Sequence, residues 1–223
     1  MARLIVHVEG VTEENFVNAV LRDHLILHGH HEVSARRMGN ARLREQRHGI
    51  KPWTVARKDI VTRLKENAAW LVTTFVDFYR LPLDWPGREA AAELQHHQKG
   101  LTVENAIIED LADTNNAHRV IPFVMVHEFE ALLFSDCAKF SESLQRPELG
   151  NRLLAIRNSF SCPEEINGSP ETAPSKRLEA LLPYRKALDG PAAAQAIGLE
   201  RMRTECPHFD DWLSRLEAKP QGD

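Results

Sequence analysis

Leu71-Val72-Thr73-Thr74-Phe75-Val76-Asp77 is the stretch on which the fold turns. Its apolar and β-branched residues show no polar alternation, which describes a strand covered on both faces, as in a parallel sheet. The run then ends in a carboxylate. Upstream the same pattern recurs in Leu4-Ile5-Val6-His7-Val8, which runs into Glu9. Downstream it recurs over 120–126, followed by Glu128 and Glu130. If these runs are parallel strands of one sheet, their acids line its carboxyl edge, where open α/β sheets bind ligands. Carboxylates gathered there repel one another, and a hard divalent cation is the usual remedy. The pattern points to a Mg²⁺ or Mn²⁺ site and, through it, to phosphate chemistry.

The segments between the strands read as helices. Gly10 permits a tight turn, Thr12 is a good N-cap, and Phe16, Val17, Val20, Leu21 and Leu25 follow at amphipathic spacing up to Gly29. A short strand is expected near 31–35, a helix over 59–68, and a helix capped by Thr102 that carries Val103, Ile107 and Leu111. The excursion 79–100 holds Pro82, Pro86, Gly87 and Gly100 around a short alanine-rich helix. Pro122 marks its strand as an edge. The order β-α-β-α-β-α-β implies a mostly parallel, doubly wound sheet over residues 1–135. After Glu128 the strands stop. Residues 136–223 read as short helices broken by proline and glycine, a helical extension packed on the core, with a loop at 161–174.

Composition narrows the function classes. No apolar run approaches the ~18–20 residues that span a bilayer, so a cytoplasmic protein without membrane contact is expected. Cys137, Cys162 and Cys206 are scattered and lack CxxC spacing, which predicts neither a disulfide framework nor a cysteine zinc site. The net charge of −4 argues against passive coating of DNA. An enzyme needs only a metal and a local basic patch. Arg36, Arg37, Arg42, Arg44, Arg47, Lys51, Arg57 and Lys58, with Trp53 among them, read either as a solvated face or as a phosphate-backbone track. There is no GxxxxGK[ST] and no GxSxG, so neither a P-loop ATPase nor a serine hydrolase is indicated.

The candidate ligands follow from strand ends. Glu9 and Asp77 take the strand-end positions. Glu13 lies one turn of chain beyond Glu9, where it serves either the site or the helix macrodipole. Glu128 and Glu130 alternate along an extended segment and face one way. His127-Glu128-Phe129-Glu130-Ala131 is not HExxH, because Ala131 stands where the second histidine belongs. Tyr79 either supports the site by hydrogen bonding or packs with Phe78. Asp84 is a weaker ligand candidate. Ser175 reads as an N-cap that places Lys176 and Arg177 in a first helical turn, where cations oppose the macrodipole and a bound phosphate would relieve the conflict.

These residues carry a resemblance. Val8-Glu9-Gly10-Val11-Thr12-Glu13-Glu14 with Val17 resembles the opening of Toprim-type domains in the overcoming-lysogenization-defect class of nucleases. More closely, the chain resembles domain of unknown function family 4276. The matching segments are the VEGxTE opening, Asp77-Phe78-Tyr79 with Leu81-Pro82 and Pro86-Gly87, and the run from His127 to Phe134. Further on come Pro163-Glu164, Ile166-Asn167, Pro170-Glu171, Ala173-Pro174-Ser175-Lys176-Arg177, and Cys206-Pro207-His208-Phe209 with Trp212.

The resemblance implies a Toprim-like, Rossmann-like sheet. It also implies an AAA-type ATPase partner in a prokaryotic anti-phage defence system. Toprim domains hold Mg²⁺ for phosphodiester chemistry with a glutamate after the first strand and an Asp-x-Asp pair after a later one. Glu9 matches that glutamate and Asp77 the first aspartate. Tyr79 replaces the second aspartate, so the missing carboxylate must come from Glu128, Glu130 or Asp84. The expectation is a metal-dependent nuclease acting on DNA or RNA. Glu9, Glu13, Asp77, Glu128 and Glu130 would hold the metal, Glu9, Asp77 and Lys176 would serve catalysis, and Lys176, Arg177 and Tyr79 would contact substrate. The alternative is a non-catalytic regulatory or sensor subunit with a degenerate Toprim fold that binds the ATPase. Either leaves room for a homo-oligomer.

Overall fold

The computed structural model describes residues 3–38, 50–166 and 173–219. Its centre is a parallel sheet of β1 (Arg3–Val8), β2 (Glu32–Arg37), β3 (Trp70–Asp77), β4 (Val120–Ile121) and β5 (Val124–Met125), ordered β2-β1-β3-β4 with β5 also paired to β3. This is an α/β, Rossmann-like arrangement. Val8 lies opposite Phe75, so Glu9 and Asp77 emerge at the same edge of neighbouring strands.

The expected strand over 119–126 is split at Pro122, which has no N–H to give the ladder. Threonine hydroxyls from β3 bridge the gap. Thr73 Oγ1 donates to the Ile121 carbonyl at 2.5 Å and Thr74 Oγ1 to the Phe123 carbonyl at 2.9 Å, while Phe123 N–H donates back to Thr74 Oγ1 at 3.0 Å.

Helix boundaries depart from the sequence reading in instructive ways. α1 (Val11–Phe16) is capped by Gly10 rather than Thr12, because Glu13 Oε2 reaches back to accept the Gly10 N–H at 3.0 Å. A π turn at Val17–Leu21 leads into α2 (Arg22–Leu27), which stops before Gly29 at φ 99°. α3 (Trp53–Glu66) begins well ahead of the expected 59, since Asp84 Oδ2 accepts the Trp53 N–H at 2.8 Å and caps it. α4 (His96–Asp110) runs straight through Gly100 and Thr102. Gly100 is no break: a Cβ there would lie 2.6 Å from both the Val124 carbonyl oxygen and the His208 ring. It lets the helix approach the sheet. The alanine-rich piece before it forms turns, not a helix.

Beyond β5 runs a 3₁₀ segment (Phe129–Ser135). It precedes α5 (Cys137–Ser143), α6 (Gly150–Arg157), α7 (Pro174–Glu179), α8 (Lys186–Ile197), α9 (Leu199–Glu205) and α10 (Pro207–Ala218). The sheet buries both faces. Leu71 and Phe75 join Phe16, Phe123, Phe129, Phe209 and Trp212 on the side of the C-terminal helices, whereas Val72 and Val76 pack with Trp53, Ile60, Trp85 and Ile107 on the other. Phe75 stacks on Phe16, Phe123 and Trp212 at 5.7, 5.5 and 5.5 Å. Each such side chain contributes ~1.5–3 kcal/mol by burial. Trp212 also donates its Nε1–H to Thr73 Oγ1 at 2.8 Å, so α10 is fastened to the central strand. Among the described residues, no helix is long and apolar enough to cross a membrane. The three cysteines are free.

Candidate metal centre

Strand alternation puts Asp77 on the same face as Thr73 and Phe75, the face covered by the C-terminal helices. Its carboxylate is 4% exposed, and Glu9 beside it is 8% exposed. Glu9 Oε2 is buried without a hydrogen-bond partner, while Oε1 lies 3.4 Å from Arg80. Burial, then the neighbouring Glu13, raise the Glu9 pKa to about 7 against the pull of Arg80 and Lys186. Asp77 is pushed well above the usual carboxylate range by burial first, and then by Glu9 and Glu13. At the two strand-end acids burial and like charge outweigh the cationic charge of Arg80 and Lys186.

Glu128 and Glu130 complete the group from the far side. Glu128 Oε2 accepts the Ser175 N–H at 2.9 Å, and its Oε1 lies 3.5 Å from Lys186 and 3.9 Å from Arg80. Burial works to raise its pKa, yet Lys186 and the Ser175 hydrogen bonds prevail and lower it. Glu130 is fully buried, with Lys186 Nζ 2.9 Å from Oε2 and the Tyr184 hydroxyl donating to Oε1 at 3.4 Å. Burial still holds the Glu130 pKa up at about 7. Lys186 is itself drawn upward: burial opposes its charge, but Glu130, Glu128 and Asp77 outweigh it. Among the described residues, five carboxylates therefore face two cations, Lys186 and Arg80.

The donor set is all oxygen, as a hard divalent cation requires. Among the described residues, these acids do not bring one oxygen from each of three residues within 4.8 Å of one another. They therefore do not form a preformed three-carboxylate cage among the described residues. Glu9 and Asp77 are the candidates for holding such an ion, with Arg80 at 3.4 Å as the nearest ion-pair partner of Glu9.

The family description "domain of unknown function" (DUF4276) matches residues 8–217, which takes in every one of these acids. The chain belongs to the DUF4276 family. Neither the curated proteins nor the solved structures give a match.

The DUF4276 chain places its other candidate residues less uniformly. Tyr79 is 49% exposed, stacks on His127 at 5.2 Å, and accepts a hydrogen bond from Lys99 at 3.4 Å. Asp84 is occupied as the cap of α3. Ser175 is not an N-cap, because α7 starts at Pro174. Lys176 points to solvent and pairs with Glu179 at 2.6 Å, and Arg177 lies over the Phe160 ring at 5.7 Å. Lys186, rather than Lys176, is the lysine that reaches the acids. The sequence held a clue to it: Lys186 also opens a helix, where a cation opposes the dipole. In the basic stretch, Arg37 pairs with Glu14 at 3.0 Å, and Arg57 with Asp110 and Asp113 at 2.7 Å each. Arg42, Arg44 and Arg47 lie outside the described residues, as do Asn167, Gly168, Pro170 and Glu171 of the 161–174 loop.

Proposed function

We propose that this protein is a divalent-metal-dependent phosphodiesterase, a nuclease whose Mg²⁺ or Mn²⁺ is held by Glu9 and Asp77. One observation carries the reading: two buried carboxylates end adjacent parallel strands, one with an unpartnered oxygen, both with raised proton affinity. A divalent ion replaces the protons they would otherwise hold. When bound it supplies Lewis-acid polarisation of the phosphate and an activated water.

The chain's own groups support that chemistry. Glu13 is held by the Gly10 N–H, so its carboxylate keeps a fixed place beside Glu9. Glu130, Tyr184 and Lys186 form a buried brace that orients Glu128. Arg80, with a side chain 56% exposed, stands at the open side, where it meets an incoming phosphate. In this reading the substrate is DNA or RNA and an AAA-type ATPase is the partner, as the resemblance to Toprim-linked defence nucleases implies.

Tyr79 favours a second reading. It occupies the place of a second aspartate and engages His127 and Lys99 rather than the acids. A regulatory subunit that has kept the fold without turnover would look like this.

Cleavage of plasmid DNA and of structured RNA, titrated with Mg²⁺ and Mn²⁺, separates the two. The enzyme reading expects metal-dependent cleavage that falls by ~100-fold or more in Glu9→Gln and Asp77→Asn. A stable complex with an ATPase, together with no cleavage under any metal, would establish the regulatory reading instead.

A further inference from the structure

Away from the acid edge, α2 and α10 meet through a second group of ligand-type side chains. His24 and His28 lie one helical turn apart and therefore project from one face. Glu217 on α10 completes the group. His24 Nε2 is 2.6 Å from Glu217 Oε1 and His28 Nε2 is 4.0 Å from the same oxygen. One donor atom from each of the three lies within 4.8 Å of the other two. Donors around a tetrahedral zinc ion, at ~2.0–2.2 Å from the metal, sit roughly 3.3–3.5 Å apart. The two observed separations bracket that value, so small side-chain movements suffice.

Two further observations separate this group from a chance surface cluster. His28 Nδ1 lies 2.8 Å from the His24 carbonyl oxygen, to which only an Nδ1–H can bond. That bond assigns Nδ1 as a donor and leaves Nε2 facing Glu217 at 4.0 Å, which is the outer-shell arrangement typical of a metal-bound histidine. Glu217 is likewise fixed in advance. Arg203 Nη1 donates to its Oε1 at 2.5 Å, and the same guanidinium is held by Asp210 at 2.5 Å and Ser214 at 2.8 Å. His24 and Arg203 also line an open cleft of about 480 Å³, to which His28 and Glu217 do not contribute.

We propose that His24, His28 and Glu217 form a zinc-class site that clamps the first helical segment to the C-terminal helix. Its donors are two imidazoles and one carboxylate, with water in the open position. That set suits Zn²⁺ or a neighbouring late transition ion and not Mg²⁺. The ion takes the place of the direct His24–Glu217 contact. Arg203 puts positive charge on the same carboxylate, so the affinity is moderate. The site shares no residue with the acid edge and does not depend on the function proposed for that edge.

Isothermal titration of the metal-stripped full chain with Zn²⁺, and the visible spectrum of its Co²⁺ form, test the site. We expect one equivalent of Zn²⁺ to bind, millimolar Mg²⁺ not to displace it, and the melting temperature to rise with Zn²⁺. His28→Ala alters a half-exposed side chain and so keeps the fold. It should weaken Zn²⁺ binding by roughly 100-fold and abolish the thermal shift, since a direct ligand outweighs an outer-shell partner. Glu217→Gln should weaken binding, and the Glu9→Gln/Asp77→Asn double variant should bind Zn²⁺ like the wild type. Absence of Zn²⁺ binding to the wild type, or equal binding by wild type and His28→Ala, overturns the proposal.

Discussion

Glu104 and Glu9 are both glutamates withdrawn from solvent, at 2% and 8% exposure, yet they are opposite kinds of residue. Glu104, on α4, is fully occupied. Its Oε1 accepts the Val124 N–H and a hydrogen bond from His208 Nε2, both at 2.9 Å, and its Oε2 meets Arg215 at 3.4 Å. It ties a helix, a strand and the C-terminal helix together. Glu9 has an oxygen with no partner, an acid on either side, and a pKa near 7. Burial marks both, so burial does not identify a site. What sets the acid edge apart is burial with less counter-charge than its carboxylates carry. A folded chain tolerates that where a ligand supplies the missing charge.

The sharpest way to break this contrast is to remove the satisfied acid. Glu104→Ala strands the Val124 N–H and leaves His208 and Arg215 without their carboxylate. Removing one partner of a buried ionic network costs ~3–5 kcal/mol. Chemical denaturation should show a loss of that order, with or without divalent metal. A change below ~1 kcal/mol would mean that Glu104 is no more structural than Glu9.

The next test concerns the unsatisfied acid and reads its sign from pH. The folded-state pKa of Glu9 lies above its unfolded value, at about 7 against 4.5. Its favourable contribution is therefore fully present below pH 4.5 and is lost as pH rises through 7. Glu9→Gln removes this dependence. In metal-free buffer the variant should be the more stable protein at pH 7.5 and above, by up to ~3 kcal/mol, and the advantage should vanish near pH 4.5. Saturating Mg²⁺ should reverse the order at neutral pH, because only the wild type gains binding energy. A stability difference between the two proteins that is flat from pH 4.5 to 8 would remove Glu9 from the unsatisfied class.

Much of this edge was legible beforehand, because strand period and strand end are local properties. An unbroken apolar run followed by an acid fixes where the acid emerges, and Glu9, Asp77, Glu128 and Glu130 meet there for that reason. The cations were not legible in the same way. Lys186 and Arg80 reach the acids from a distant helix and from the turn after β3, and such contacts depend on packing. Helix limits failed where tertiary contacts override local signals. Gly100 reads as a break but serves a close approach to the Val124 carbonyl, and Asp84 reads as a ligand but caps α3. Glu104 carried no signal at all, since a charged residue among apolar helix positions is ordinarily solvated.

The smallest expected effect refines the comparison on its cationic side. Lys186 opens α8, where the dipole disfavours positive charge, whereas Lys176 lies in the last turn of the six-residue α7. Lys186 answers two buried acids. Lys176 has only Glu179 at 2.6 Å, with both side chains about half exposed. An exposed i,i+3 pair is worth little because water screens it. Lys176→Ala should therefore change unfolding free energy by no more than ~0.5 kcal/mol and leave metal-dependent cleavage intact. Lys186→Ala should affect both. If Lys176→Ala instead depresses cleavage while Lys186→Ala leaves it unchanged, the phosphate contact belongs to α7, and Lys186 is only a brace for Glu128 and Glu130.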